Sequence, residues 1–535
     1  MTARKKQTSS FPFFLPEAIV VIGLLLFCMT ISFVGASKLP LNLGSGWDEV
    51  MFIDPAIRLY SGQGFNSSAW FAQTQNEFWA GYPPFYTFLL YLYIKIFGLS
   101  IGVSRIVNAT LAIITVTLIW HATIRFKLIS SARVRILLVA LLTGIIGVGL
   151  DYRSGRPDIL MALLVTSAFW ICSLNAGLIR YSLLIFIGFL LPWSGLAIIA
   201  YTIVLGSILI LFLRRNIIKE ILAVISGVII GGATLFSFYQ GFGVWDVFVS
   251  SIINNPSITI YKTSFLNSLG LRDRGFLMLG FVVIVIFAWK TISKNNSFKS
   301  PATFGLASMI LIPLGMFYLG AYPKYYAWMT SIPLAICICA ELSRLSKPSS
   351  NFLLCSILLF FMSGNYGLLI FIPVIFYFCF KLVSLFKLDL NMKLSSLLVA
   401  ISFLLWLNAP PIRAFDLMAN WDHLDYSPVQ NFVRKSVKPT DWVMTDFLPY
   451  YAVRQEAAVT MYDFYLKAMP NFEKEKVSVL IVQADKDVRK IIETLGGNWY
   501  MAENLLLLKT NRLYNKYSYE IDEVEFHTYR RLDAG

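Results

Sequence analysis

Charged residues are scarce in this sequence. Asp, Glu, Lys and Arg make up 14% of its 535 residues, whereas 57% are hydrophobic and the mean hydropathy is +0.67. Soluble globular domains carry about 25% charged residues, so this chain has too few charges to cover a water-exposed surface. The composition excludes an ordinary soluble protein and predicts an α-helical polytopic membrane protein.

Cysteine and histidine are also rare, and their positions argue against metal sites. All six cysteines lie inside apolar runs, where they are typical of small hydrophobic residues. The three histidines show no mutual spacing, and the chain contains no P-loop, no GxGxxG after a strand and no HExxH. We therefore expect no cofactor, although a divalent metal ion is compatible with the chemistry inferred below. The residues concerned are Cys28, Cys172, Cys337, Cys339, Cys355, Cys379, His121, His423 and His527.

The basic excess indicates membrane orientation rather than nucleic-acid binding. The formal charge is +15, but Lys and Arg occur in short groups that follow alternate apolar runs, as expected for loops retained in the cytoplasm. We expect no nucleic-acid partner and a cytoplasmic N-terminus. The groups are Arg4, Lys5 and Lys6; Arg125, Lys127, Arg133 and Arg135; Arg214, Arg215 and Lys219; Lys290, Lys294 and Lys299; Arg344 and Lys347; and Lys387 and Lys393.

A spanning helix needs about 20 apolar residues, and about 13 candidates occur. They lie near residues 17–36, 102–122, 134–150, 158–175, 181–193, 195–213, 217–236, 276–292, 302–320, 325–343, 352–364, 366–384 and 392–409. The apolar stretch 84–98 is not counted, because it would reverse the side of the basic loops that follow. It is interpreted as a helix in the outer interface.

An odd number of spans places the C-terminal tail on the outer face. We predict a transmembrane catalytic domain over residues 1–408, with a first outer loop at 37–100, and a periplasmic or extracellular α/β domain over 409–535. Within the tail, residues 441–445 and 477–483 are β-rich and 486–495 are helical in pattern. The predicted location is the plasma (inner) membrane.

Adjacent carboxylates mark the first outer loop. Asp48 and Glu49 follow a Gly-rich stretch and precede an amphipathic segment. A partly buried carboxylate at the membrane surface is suited to act as a general base. The alternative is a helix N-terminus, where acids interact favourably with the macrodipole.

Charges also concentrate in the short second outer loop. Asp151, Arg153, Arg156 and Asp158 fall within eight residues, and charges at this depth are costly unless they are paired or functional. A structural ion network is one interpretation, and phosphate binding by the arginines is the other. Farther along, Lys324 with Tyr325 and Tyr326 suits a lipid phosphate, or is a snorkelling lysine in an aromatic belt.

An ordered set of motifs resembles the GT-C glycosyltransferases, especially bacterial relatives of protein O-mannosyltransferases and of the lipid A aminoarabinose transferase. The set comprises Asp48-Glu49, Tyr82-Pro83-Pro84, Phe97-Gly98, Ser104-Arg105 and Arg153 to Asp158. It covers roughly residues 40–165, and the remainder is similar in topology only.

The resemblance implies that Asp48 is the catalytic acid, with Glu49 beside it, and that Asp158 is the second acidic position. It also implies that nearby cations hold the donor phosphate, for which Arg153, Arg156 and Lys324 are the candidates. Relatives of the aminoarabinose type often carry Lys before the Pro-Pro pair, where this chain has Tyr82. Tyr82, Tyr325 and Tyr326 are the predicted substrate-binding tyrosines.

The predicted function is transfer of a monosaccharide from a polyprenyl-phosphate donor to an acceptor hydroxyl of a lipid, glycan or protein. An inverting single displacement needs a base for the hydroxyl proton and cations for the leaving phosphate. The alternatives are a transporter or lipid-linked sugar flippase, a polysaccharide polymerase, and a non-catalytic scaffold. A transporter is disfavoured because no central span carries an acid near mid-bilayer.

Overall fold

The computed structural model describes residues 15–39, 47–144, 155–195, 218–253, 328–343, 410–484, 486–507 and 524–532. The spans predicted near 276–292, 302–320, 352–364, 366–384 and 392–409 lie outside these ranges, as does nearly all of the span near 195–213. The helices of the membrane part are α1 Leu15–Ala36, α2 Trp47–Tyr60, α3 Phe85–Phe97, α4 Val103–Arg125, α5 Ala132–Gly144, α6 Asp158–Cys172, α7 Leu178–Ser194, α8 Ile218–Gly241, α9 Trp245–Ile253 and α10 Trp328–Leu342.

Several of these helices coincide with predicted spans. By length and composition, three helices among the described residues are long and apolar enough to cross a membrane, namely α1, α4 and α8. The shorter helices α3, α6 and α7 are also apolar. The stretch predicted at 84–98 forms α3, which begins after Pro84 and ends at Gly98, whose φ of 80° is a conformation that favours glycine.

Helices α7 and α8 pack closely through glycines of α8. A Cβ atom placed on Gly227 would lie 2.1 Å from the Ile185 carbonyl oxygen, and one on Gly231 would lie 2.2 Å from the Phe189 carbonyl oxygen. Glycines four residues apart lie on one helix face and allow such approach. A buried ion pair between Arg180 and Glu220 also joins this helix pair.

The C-terminal part is an α/β unit, as predicted. Its elements are α11 Pro410–Ala419, α12 Ser427–Ser436, β1 Trp442–Thr445, α13 Phe447–Glu456, β2 Val459–Tyr462, a 3₁₀ helix Asp463–Lys467, α14 Asn471–Lys474, β3 Val479–Gln483, α15 Val488–Leu495, β4 Trp499–Leu507 and β5 Val524–Arg531. The sheet order is β2-β1-β3-β5-β4. The first three strands are parallel, whereas β5 runs antiparallel to β3 and β4.

The hydrophobic core continues from the membrane helices into this α/β unit. Val50 and Ile53 of α2 and Tyr86 of α3 belong to the same buried cluster as Tyr450 and Tyr451 of α13. A second, smaller cluster fills the space between the sheet and α15. The loop between α1 and α4 is therefore packed between the helices and the C-terminal unit.

Candidate functional site

The structure brings three charged side chains from two distant segments together. Asp48 lies in the first turn of α2, Asp158 is the first residue of α6, and Arg156 lies just before it. Arg156 Nη1 pairs with Asp48 Oδ2, and Arg156 Nε donates to Asp158 Oδ2 over 2.9 Å. Asp48, Arg156 and Asp158 are called the acidic clamp below.

The three members differ in their access to solvent. The side chain of Asp48 is 35% exposed, whereas those of Arg156 and Asp158 are 9% and 1% exposed. Asp48 is therefore the member that a substrate can reach. Arg156 holds the Asp48 carboxylate in one orientation at this accessible position.

The backbone beside Arg156 is fixed by a buried polar chain. Asn108 of α4 donates from Nδ2 to the Arg156 carbonyl oxygen over 2.8 Å, and Tyr86 of α3 donates from its hydroxyl to Asn108 Oδ1 over 2.9 Å. All three residues are buried. The apolar helices α3 and α4 thus hold the short segment before α6 in place.

Glu49 is separated from the clamp although it is adjacent to Asp48. Its side chain is 1% exposed and accepts from the Ser104 hydroxyl and the Tyr451 hydroxyl, each over 2.7 Å. The Gly155 amide donates to it over 3.3 Å, and Arg105 Nε lies 3.5 Å away. These contacts occupy both carboxylate oxygens and leave Glu49 without access to a substrate.

Gly155 is required by the closeness of this packing. A Cβ atom at residue 155 would lie 2.4 Å from Glu49 Cγ and 2.7 Å from Ser104 Cβ. The backbone before Arg156 therefore rests directly on the Glu49 side chain.

Two further polar residues of α2 are buried, and the sequence analysis did not single them out. Asp54 accepts from the Ser67 hydroxyl over 2.8 Å, from the Ser68 amide over 2.7 Å and from the Tyr450 hydroxyl. Arg58 donates to side chains of the same loop, at Asn66, Ser68 and Gln75. Their spacing of four residues, which puts both on one helix face, was the available signal.

The C-terminal unit contacts the same loop through its sheet. The Ser68 hydroxyl donates to the Thr460 carbonyl oxygen over 2.7 Å, and the Tyr462 amide donates to the Ser68 carbonyl oxygen over 3.0 Å. The Gln75 amide donates to the Tyr465 hydroxyl over 2.9 Å. Strand β2 and the segment after it therefore contact residues 67–75.

Burial keeps the two tyrosines of α13 protonated. Desolvation raises the pKa of Tyr450 well above its usual value, and the neighbouring Asp54 raises it further. The pKa of Tyr451 is raised in the same way by desolvation and then by Glu49. Both phenols therefore remain hydrogen-bond donors over the physiological pH range.

The other predicted site residues are only partly described. Tyr82 is half-buried, with its ring centroid 5.2 Å from that of Phe52. A Cβ atom on Gly195 would lie 2.6 Å from both the Tyr82 hydroxyl and the Met161 sulfur, which places Tyr82 beside the first turn of α6. The remaining four, Arg153, Lys324, Tyr325 and Tyr326, lie outside the described residues.

Within the described ranges, no group of three or more His, Cys, Asp or Glu side chains is arranged to hold a metal ion. The expectation that the chemistry needs no metal stays a prediction.

No protein-family model and no curated protein sequence matches the chain. Among solved structures, ArnT from Cupriavidus metallidurans bound to undecaprenyl phosphate is similar over 97% of this chain and 98% of its own, with 11% identity and a TM-score of 0.52. The oligosaccharyltransferase AglB from Archaeoglobus fulgidus, in complex with an inhibitory peptide and a dolichol-phosphate, covers 91% and 71% of the two chains, with 11% identity and a TM-score of 0.42. The arabinofuranosyltransferase AftD from Mycobacteria covers 100% and 41%, with 11% identity and a TM-score of 0.41.

At 11% identity and a TM-score of 0.52, the similarity to ArnT concerns the fold. The resemblance predicted from the motifs of residues 40–165 is confirmed at that level. The chain shares the fold of that ArnT structure.

Proposed function

We propose that this chain is a membrane glycosyltransferase that transfers a monosaccharide from a polyprenyl-phosphate donor to an acceptor hydroxyl. The observation that carries the proposal is the acidic clamp, in which one accessible carboxylate is fixed by a buried arginine. The ArnT structure of the same fold is bound to undecaprenyl phosphate, which supports a polyprenyl carrier for this chain as well.

The proposed reaction is a single displacement with inversion at the anomeric carbon. Asp48 accepts the proton of the acceptor hydroxyl as the hydroxyl oxygen forms a bond to that carbon. The bond from the carbon to the phosphate oxygen breaks, and its electron pair leaves with the polyprenyl phosphate. Arg156 contacts the Asp48 carboxylate through Oδ2 and is proposed to orient it for this proton transfer.

Cations are proposed to stabilise the leaving phosphate. Arg153 and Lys324 are the proposed ligands, together with Arg156, which lies three residues from Arg153 in the chain. An array of fixed cations stabilises charge as it develops on a leaving group. For Arg156, the contacts to Asp48 and Asp158 favour a second role, that of orienting the base.

The tyrosines are proposed to line the substrate site, and the chain is proposed to work at the non-cytoplasmic face of the plasma membrane. Tyr82 lies beside α6, whose first residue is Asp158. Tyr325 and Tyr326 are assigned to the donor lipid and its phosphate. The proposed acceptor is a lipid, glycan or protein hydroxyl, and the domain boundary is proposed at residues 408 and 409.

Replacement of Asp48 tests the proposal. We expect Asp48→Asn to lower transfer by purified protein at least about 100-fold, because a general base contributes that much or more. The assay measures sugar transfer from polyprenyl-phosphate sugars and the anomeric configuration of the product. The matched control is Asp422→Asn, which changes an exposed aspartate of the C-terminal unit and should retain activity.

Full transfer by Asp48→Asn would refute the catalytic assignment. Movement of lipid-linked sugar across sealed vesicles without a new glycosidic bond would instead identify a flippase.

A further inference from the structure

The C-terminal unit inserts two adjacent tyrosines into the first long loop. Tyr450 and Tyr451 of α13 are fully buried, and each donates to a carboxylate of α2. Tyr450 binds Asp54, and Tyr451 binds Glu49. These contacts join segments that are about 400 residues apart in the chain.

The bond from Tyr451 ends on the residue next to the proposed base. Glu49 follows Asp48 in the chain, and it also accepts from the amide of Gly155, which precedes Arg156. Glu49 is thus one residue from Asp48, and the amide that it binds is one residue from Arg156. A displacement of the Glu49 carboxylate is therefore expected to move both members of the Asp48–Arg156 ion pair. No other described carboxylate accepts hydrogen bonds both from the C-terminal unit and from the backbone just before Arg156.

The Glu49 carboxylate depends on its neutral donors. Its one described cationic partner is Arg105, at the long distance of 3.5 Å, whereas the hydroxyls of Ser104 and Tyr451 lie at 2.7 Å. A buried carboxylate that loses a hydrogen-bond donor must move toward another partner or toward water. Loss of the Tyr451 hydroxyl is thus expected to shift Glu49 and, with it, the segment around Gly155.

We propose that Tyr451 is a positioning residue for the transfer reaction, and that the C-terminal unit acts through it and Glu49 to fix the geometry between Asp48 and Arg156. The proposal rests on the proposed function, in which Asp48 is the base. It gives the C-terminal unit a role in catalysis that does not depend on contact with the substrate.

The test compares Tyr451→Phe with Tyr426→Phe in the purified full-length protein. Tyr426 also has a buried hydroxyl, which donates to the Leu448 carbonyl oxygen over 2.7 Å and accepts from the Ala452 amide over 3.2 Å. It therefore supports α13 without touching Glu49, and Tyr426→Phe controls for a purely structural effect.

Kinetics with polyprenyl-phosphate sugars form the first measurement. We expect Tyr451→Phe to lower kcat about tenfold, the effect of losing one hydrogen bond to a charged group, with KM for the donor little changed. Tyr426→Phe should keep the wild-type kcat. Glu49→Gln should also lower kcat, and the double variant with Tyr451→Phe should be no slower than Glu49→Gln alone, because the two residues act as one unit.

Hydrogen–deuterium exchange supplies a second measurement that needs no activity. The Gly155 amide donates to Glu49, so its exchange reports directly on the position of that carboxylate. We expect faster exchange at the amides of Gly155, Arg156 and Asp158 in Tyr451→Phe and wild-type exchange in Tyr426→Phe.

The outcomes separate the two proposals. If Tyr451→Phe keeps both the wild-type kcat and the wild-type exchange at Gly155, or if Tyr426→Phe slows the reaction equally, the positioning role is wrong. If Asp48→Asn keeps full transfer while Tyr451→Phe accelerates exchange at Gly155, the mechanical link stands and the assignment of Asp48 as the base is wrong.

Discussion

Arg156 contacts both carboxylates of the acidic clamp. It bridges the nearly inaccessible carboxylate of Asp158 and the accessible carboxylate of Asp48. Its planar guanidinium can bind two carboxylates in fixed directions, which a lysine ammonium cannot do. The same residue therefore bears on both the stability of the segment before α6 and the orientation of the base.

These two roles can be separated by mutation. We expect Arg156→Ala to lower the free energy of unfolding by about 3–5 kcal/mol, because it leaves the buried Asp158 charge without a partner. Adding Asp158→Asn should restore most of that loss, since the charge is then removed. Transfer activity should stay low in both variants because Asp48 is no longer oriented.

Thermal unfolding and turnover of the purified variants provide the measurement. A wild-type unfolding midpoint for Arg156→Ala would show that the clamp contributes nothing to stability. Recovery of activity in the double variant would instead remove the orienting role.

Two carboxylates share one lysine at the carboxyl ends of the parallel strands β1 and β2. Asp446 follows β1 and Asp463 follows β2, and Lys486 contacts both carboxylates. Desolvation and the charge of Asp446 raise the pKa of Asp463 to about 6. Burial opposes the charge of Lys486, but the two carboxylates outweigh it and raise the pKa of that lysine.

The raised pKa of Asp463 fixes the sign of a pH effect. Folding favours the protonated form, so the contribution of this group is complete below about pH 4 and is lost as the pH rises through about 6. We expect strands β1 to β3 to be more protected from hydrogen exchange at pH 5 than at pH 7, after correction for intrinsic exchange rates. Asp463→Asn should reduce this difference, whereas the exposed Asp422→Asn should keep it. An undiminished difference in Asp463→Asn would assign the effect to other groups.

At the scale of the elements, the contact between α7 and α8 depends on glycine. Gly227 faces the backbone of α7, and a methyl group there would overlap the Ile185 carbonyl oxygen, which cannot move as a flexible side chain would. Gly232 belongs to the same helix, but a methyl group there meets no atom within 4 Å. Gly227 and Gly232 therefore form a matched pair of glycines in one helix, one in the helix contact and one outside it.

We expect Gly227→Ala to destabilise the protein by about 1–3 kcal/mol, the usual effect of overpacking. Gly232→Ala should be neutral or stabilising, because alanine favours a helix by up to about 1 kcal/mol over glycine. The unfolding midpoints of the two purified variants provide the comparison. Equal unfolding midpoints for Gly227→Ala and Gly232→Ala would mean that α7 and α8 can move apart without loss of stability.

Several of the elements were predictable from the sequence. Apolar length predicted α1, α4 and α8, the Pro-Pro pair and Gly98 bounded α3, and β-rich runs predicted β1 and β3. These features depend on neighbours within a few residues, so they are visible as periodicity and composition. The number of spans stays a prediction, because several candidates lie outside the described residues.

For the molecule as a whole, the sequence singled out residues that lie together in the structure, and their catalytic roles stay a prediction. The sequence singled out Asp48, Glu49, Arg156 and Asp158, and the structure places three of them in one ion network. The sequence could not show that Asp48 is accessible and Glu49 is buried, because the partner that binds Glu49 is Tyr451 of a distant segment. The buried roles of Asp54 and Tyr450 were missed for the same reason.

Glu49 and Tyr451 are 402 residues apart in the chain, and this separation determines the order in which the two residues are synthesised. At about 5–20 residues per second, a ribosome needs roughly 20–80 seconds to make the chain between them. During that interval the first long loop has been synthesised, while two carboxylates that become buried in the mature protein still lack the phenols that bind them. The loop must therefore stay hydrated and incompletely packed during that interval, and the geometry around Asp48 is completed only after Tyr451 has been synthesised.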